Sequence, residues 1–260
     1  MKNQVTILGI SITNEVKEKV LEYLLNRLKS PHDKTFIITP NPEMLVYASK
    51  HLDYRNKLNS ADIALPDGVG ISLASHFVGK PLQGRITGVD FIEELCKISR
   101  EKTLSMGFLG GRDGVAELAV NRLKHKYPWI EVVFVGEEWP DNKKNNELRI
   151  KNKEKGTINH YSSFINPPQI DILFVAFGVP NQEEWITEHL YKLPIKAAMG
   201  VGGSFDFLSG KVWRAPKFIR VIGLEWLFRL IVQPWRWKRQ LALLEFLVLI
   251  WKQKFVKQKM

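Results

Sequence analysis

One stretch of this chain leaves few folds open. From Asp171 to Gly210 it reads DILFVAFGVPNQEEWITEHLYKLPIKAAMGVGGSFDFLSG. Ile172 to Phe177 is a nearly unbroken apolar run between Asp171 and Gly178, the pattern of a strand covered on both faces, as in a parallel sheet. Gly178 permits a sharp turn. Pro180 and Asn181 stand where a helix begins, and Glu183 and Glu184 fall in its first turn, where negative charge suits the helix dipole. A second strand, Lys196 to Val201, runs into Gly200, Gly202, Gly203 and Ser204. In open α/β sheets the carboxyl edge of the strands holds the ligand, and helix N-termini there suit anions such as a diphosphate. Any α/β domain has such turns without a ligand, so one turn alone leaves both readings open; two on neighbouring strands favour a cradle.

The rest of the chain repeats the unit. Gln4 to Gly9 is expected as a first strand, followed by a helical stripe from Asn14 to Leu28. Phe36 to Ile38 and Ile63 to Leu65 are short strands. The first meets Thr39, Pro40, Asn41 and Pro42, a rigid loop; the second meets Pro66, Asp67 and Gly68. Gly88 opens a helix. Ser105 to Leu109 ends in Gly110, Gly111 and Gly114 before a helix from Val115 to Tyr127, and Ile130 to Val135 ends at Gly136. A lysine-rich helix is expected from Pro140 to about Lys155. At least six strands alternating with helices imply an α/β fold: a mostly parallel sheet with helices on both faces.

Charge divides the chain. Residues 1–210 carry 26 Lys and Arg against 25 Asp and Glu, whereas residues 211–260 carry 12 against 2 and five of the eight Trp. Basic residues interleaved with Trp and apolar runs suit the interface of an anionic membrane. The longest apolar run, Leu241 to Trp251, is too short to span a bilayer. We therefore expect residues 1–210 to form an α/β domain and residues 211–260 a basic, Trp-rich, helical membrane-binding appendage. Such an apolar tail also favours a homo-oligomer when lipid is absent. The single cysteine, Cys96, sits in an apolar pattern and reads as a packing residue of a reduced, cytoplasmic protein. MKNQVTILGI lacks the features of a signal peptide, so the expected location is peripheral, on the inner face of the cell membrane.

The histidines are scattered, and neither a metal-ligand cluster nor the Asp-x-Asp pair that often holds a cation on a sugar nucleotide is present. A metal-independent site without cofactor is expected. A nicotinamide oxidoreductase would want G-x-G-x-x-G and a ribose carboxylate, both missing. Charge confined to one Trp-rich segment fits lipid better than nucleic acid, so no nucleic-acid partner is expected. A non-catalytic membrane scaffold is a third possibility.

Seven motifs, in order, carry a resemblance: TPNPEM at Thr39, LPDGVGI at Leu65, GVDF at Gly88, FLGG at Phe108, AFGVPNQEEWI at Ala176, GVGGSFDFLSG at Gly200, and RAP at Arg214 followed by GLEWLFRL. From about Thr35 to Arg239 the chain resembles the WecG/TagA/CpsF glycosyltransferases, which implies a Rossmann-like fold. It also implies inverting transfer of a sugar, typically N-acetylmannosamine, from a UDP-sugar donor to an undecaprenyl-diphosphate-linked GlcNAc acceptor, as in wall teichoic acid or other surface glycans. Relatives that use a UDP-hexose or UDP-uronic acid are the alternative. An aspartate in a Pro-Asp-Gly loop would ordinarily read as a turn residue; the resemblance makes Asp67 the candidate base and Thr39, which can otherwise read as a strand stop before Pro40, a second catalytic candidate placed to hydrogen-bond the sugar or a phosphate. Gln182 matches a site glutamine with the reach to contact the sugar, and Asn41 and Glu43 share the Thr39 loop. Arg85 is a candidate contact to diphosphate or sugar. Gly110, Gly111, Gly136 and Gly178 would let the backbone approach the nucleotide. Arg214 and Arg220, joined by Arg229, are expected to grip the lipid diphosphate.

Overall fold

The alternation of apolar residues along the strands decides the layering. The computed structural model describes residues 1–30, 32–139, 169–234 and 237–257. In it Ile172 and Phe174 face one apolar layer and Leu173 and Val175 the other; Ile37 parts from Phe36 and Ile38 in the same way. Strands buried on both faces belong in a parallel sheet sandwiched by helices. The sheet has six strands in the order β4-β3-β8-β7-β5-β6, with every pairing parallel. They are β3 (Thr35–Ile38), β4 (Ile63–Ala64), β5 (Ser105–Gly110), β6 (Glu131–Gly136), β7 (Ile170–Ala176) and β8 (Ile195–Gly200).

Helices α1 (Lys17–Leu28), α5 (Gly88–Ile98), α6 (Val115–Lys126) and α8 (Ser204–Leu208) cover one face. The other is covered by α2 (Pro42–Lys50), α3 (Leu52–Asn59), α4 (Val69–Phe77) and α7 (Asn181–His189). Cys96 is a buried free thiol in the first layer, as its apolar setting implied. The Lys-rich helix expected from Pro140 lies outside the described residues.

The N-terminus departs from expectation. Instead of a strand of the main sheet, it forms a separate antiparallel hairpin of β1 (Gln4–Ile7) and β2 (Ile10–Thr13). Leu8 and Gly9 both take positive φ, +48° and +79°, which is the two-residue turn whose twist matches paired strands. Val5, Ile7, Ile10 and Ile12 then point to one side, into the α2–α4 layer. The alternation in VTILGISIT carried this signal. A single strand followed by a helix was the wrong reading of it, and α1 starts at Lys17 rather than Asn14.

The segment after Gly210 is helical where described: α9 (Lys217–Val221), α10 (Glu225–Val232) and α11 (Trp237–Lys257). α11 lies against α2 and α4, burying Phe246 and Ile250 in the second apolar layer. Gln253 accepts a hydrogen bond from the Leu8 backbone at 3.0 Å. Leu241, Leu244, Leu247, Val248 and Trp251 remain exposed on the same helix.

Candidate active site

All six strands of the sheet deliver loops to one edge, Glu137 and Glu138 following β6, and those loops form the walls of a cleft of about 1350 Å³. Thr39 and Asn41 follow β3, Asp67 follows β4, Gly111 follows β5, Gly178 and Gln182 follow β7, and Gly202 to Ser204 follow β8. The far wall comes from the C-terminal segment: Arg214, Gly223, Glu225, Trp226 and Arg229. The cleft is thus closed by joining the sheet edge to Arg214, the Gly223 turn and α10.

Asp67 is held by its backbone. Its N–H donates to the Pro40 carbonyl at 3.1 Å, and Ile86 N–H donates to the Pro66 carbonyl at 3.0 Å. Gly68 at φ +83° turns the chain directly into α4, a conformation that a side chain would strain. Among the described residues no hydrogen bond reaches the Asp67 carboxylate. Burial above all pushes its pKa up to about 7; Glu225 and Asp90 act in the same direction, against Arg85 and Arg214. A half-buried carboxyl that loses its proton near neutrality is suited to general base work.

Opposite charges surround it. Arg214 lies 2.7 Å from Asp90 and 3.4 Å from Glu225. Arg220 lies 3.7 Å from Asp90. Burial opposes ionisation of Asp90, yet hydrogen bonds from Arg214 and Thr87, with the charges of Arg214 and Arg220, hold its carboxyl below the usual range. Arg229 meets Asp206 at 3.2 Å and sits 4.6 Å over the Phe207 ring. All three arginines turn inward to carboxylates.

Most of the candidate residues meet in the cleft, but several play other parts. Thr39 donates its hydroxyl proton to the Gly200 carbonyl at 2.9 Å, pinning β3 to β8 and leaving the oxygen as an acceptor. Asn41 caps α2 by accepting from Met44 N–H at 3.0 Å. Arg85 lines the cleft and donates to the Arg220 carbonyl at 2.9 Å. Gly111 and Gly178 line it at φ +75° and +77°. Gly110, Gly136 and Arg220 do not line it. A side-chain carbon at Gly110 would stand 2.9 Å from the Ala176 backbone, so that glycine serves close strand packing. Gly136 ends β6 in buried backbone, and its neighbour Glu137 faces the cleft instead.

Gln182 is buried, with both ends of its amide engaged. Its Oε1 accepts from Gly202 N–H at 2.9 Å and its Nε2 donates to Glu183 at 2.6 Å. Glu183 in turn accepts from the Tyr54 hydroxyl at 2.9 Å. This relay from α3 through α7 fixes the turn after β8. Glu183 reads in the sequence as a first-turn charge suiting the helix dipole; it is fully buried. Burial pushes its pKa up to about 7, against the hydrogen bonds from Gln182 and Tyr54. Because that value lies above the 4.5 of an unfolded glutamate, the folded chain loses stability as pH rises between the two. Removing the tyrosine donor enlarges that loss. Tyr54→Phe is expected to cost about 2 kcal/mol at pH 8 by urea denaturation, and clearly less at pH 5. An equal cost at both pH values would mean that the hydroxyl does not serve the carboxylate.

Asp90, Glu225, Glu183 and Tyr54 were missed as site residues. The first three stand inside quoted motifs, but sequence does not say which carboxylate answers which arginine.

The same chain can be placed among known proteins. A model of the Glycosyl transferase WecG/TagA/CpsF family matches residues 5–260. Three similar curated proteins each bear the name N-acetylglucosaminyldiphosphoundecaprenol N-acetyl-beta-D-mannosaminyltransferase. That of Bacillus spizizenii is 33% identical over 250 residues, covering 96% of this chain and 90% of the relative. That of Bacillus subtilis is 31% identical over 248 residues, covering 95% and 91%. One from Staphylococcus aureus is 30% identical over 237 residues, covering 91% and 86%.

Proposed function

This chain belongs to the WecG/TagA/CpsF glycosyltransferase family, and from that premise we propose that it transfers N-acetylmannosamine from a UDP-sugar to an undecaprenyl-diphosphate-linked GlcNAc, with inversion at the anomeric carbon. The relatives' names supply the sugar and the acceptor. The observation that carries the reading is the Asp67 carboxyl, without a hydrogen bond among the described residues, in a cleft that it shares with Arg85 and Arg214.

In this mechanism Asp67 takes the proton of the acceptor hydroxyl as its oxygen bonds to the anomeric carbon. The bond from that carbon to the UDP phosphate oxygen breaks, and its electron pair leaves with UDP. Fixed cations and backbone N–H groups answer that charge: Arg85, Arg214 and Arg229 beside the cleft, and the turns at Gly111 and Gly178. In this reading UDP leaves without a divalent cation, in keeping with the missing Asp-x-Asp pair. Arg220 serves from behind, its carbonyl holding Arg85. UDP release with a panel of UDP-sugars and an undecaprenyl-type GlcNAc acceptor, in EDTA, tests the reading. No release from any donor by the folded protein would end it.

Residues 211–260 are proposed to be an appendage that completes the cleft and rests on the anionic inner face of the membrane. Among the described residues no helix is long and apolar enough to cross one. Support comes from Phe218, Val221 and Ile222, which stand 68%, 84% and 63% exposed beside Lys217. Replacing all three by serine is expected to lower partition onto anionic liposomes by at least about tenfold, since each side chain transferred to lipid contributes roughly 1.5 kcal/mol or more. Unchanged partition would move the contact elsewhere.

A further inference from the structure

Glu225 opens α10 and reaches back into the cleft that Asp67 lines. A carboxylate in a helix's first turn is ordinarily explained by the dipole. Here its oxygen meets Nε of Arg214 at 3.4 Å, while Nη1 of the same guanidinium meets Asp90 at 2.7 Å. The elbow that carries Glu225 is firmly seated. Gly223 takes φ +81°, and a side chain there would stand 2.6 Å from Val69 of α4. The Arg220 carbonyl is held by Arg85 at 2.9 Å.

We propose that Glu225 is a positioning residue of the transfer reaction: it holds the Arg214 guanidinium in the cleft and presents a fixed negative charge to Asp67. The inference rests on Asp67 being the base. The charged groups facing Asp67 are Glu225 and Asp90, which favour its protonated form, and Arg85 and Arg214, which oppose them. After burial, Glu225 has the largest influence. Arg220 bears on Asp90. Without the Glu225 charge, Asp67 ionises at lower pH and becomes a weaker base, and Arg214 loses one of its two carboxylate partners.

The test is the pH profile of kcat/KM for Glu225→Gln, paired with carboxyl-carbon NMR titration of Asp67, whose resonance is assigned by its loss in Asp67→Asn. The acid limb and the NMR midpoint should both move down by about one pH unit. Glu225→Asp, which keeps the charge, should restore most of the shift. If the glutamine variant unfolds in a melting experiment, Glu225→Met, similar in length and uncharged, must give the same downward movement. An NMR midpoint that stays at the wild-type position in a folded, uncharged variant overturns the proposal. An Asp67→Asn enzyme that still turns over overturns the base assignment and this proposal with it, whereas an inactive Asp67→Asn enzyme with an unmoved midpoint in the Glu225 variants overturns the role of Glu225 alone.

Discussion

Asparagine in place of Asp67 is expected to lower kcat/KM by roughly a hundred- to ten-thousandfold, the range of a lost general base, while making the protein harder to melt. The two effects share one cause. The folded chain holds this carboxyl at about 7, against an ordinary value of 3.8. A group whose pKa is raised on folding binds more protons folded than unfolded, so ionising it costs stability as pH climbs from about 4 to 7. At pH 8 the wild type carries that cost in full and the Asp67→Asn protein does not. Each kcal/mol relieved raises the melting temperature by about 2–4 °C in a chain of this size. The gap should close as pH falls from 7 towards 4. Retained turnover, or a melting difference that ignores pH, would remove Asp67 from the centre of the mechanism. The wild-type kcat/KM should show an acid limb near pH 7, because the free enzyme must have released this proton.

Removing Arg214 should be nearly as damaging. Arg214→Ala is expected to lower kcat by about a hundred- to a thousandfold, as for loss of one fixed donor to a developing negative charge, with liposome binding unchanged. Were Arg214 merely attracted to lipid headgroups, it would contribute about 1 kcal/mol to binding and nothing to turnover. Its side chain argues otherwise, being mostly buried and held between Asp90 and Glu225. Its loss also leaves Asp67 facing two carboxylates with Arg85 as the remaining nearby cation. The acid limb should therefore move to higher pH in this variant, opposite to Glu225→Gln. Equal losses of turnover and lipid binding would instead place Arg214 at the membrane.

The sheet was largely legible in the sequence because two-faced burial leaves a local mark: Ile195–Gly200 is one residue off its expected run, and Ile170–Ala176 starts two residues before its run, taking in Asp171, which in the sequence reads as its boundary. The cleft's position was legible too, since glycine and proline punctuate every strand's carboxyl end. The hairpin was not, because β1 and β2 are four residues each and their turn needs a leucine at positive φ, which turn chemistry does not favour. Side-chain partners were the least legible. Gln182 reads as a side chain with the reach to contact the sugar, and Glu183 as a first-turn charge suiting the helix dipole. Both are tied down by residues about 20 to 130 positions away in the chain, and such pairings leave no trace in local periodicity.

The strand order carries a consequence for synthesis. β7 and β8, the last two strands to be made, occupy the middle of the sheet, between the β3–β4 pair and the β5–β6 pair. A nascent chain that has emerged only as far as Gly136 therefore has the β3–β4 and β5–β6 pairs without, among the described residues, a strand pairing that joins them. The keystone is laid last, so the ribosome must deliver some two hundred residues before the molecule can lock.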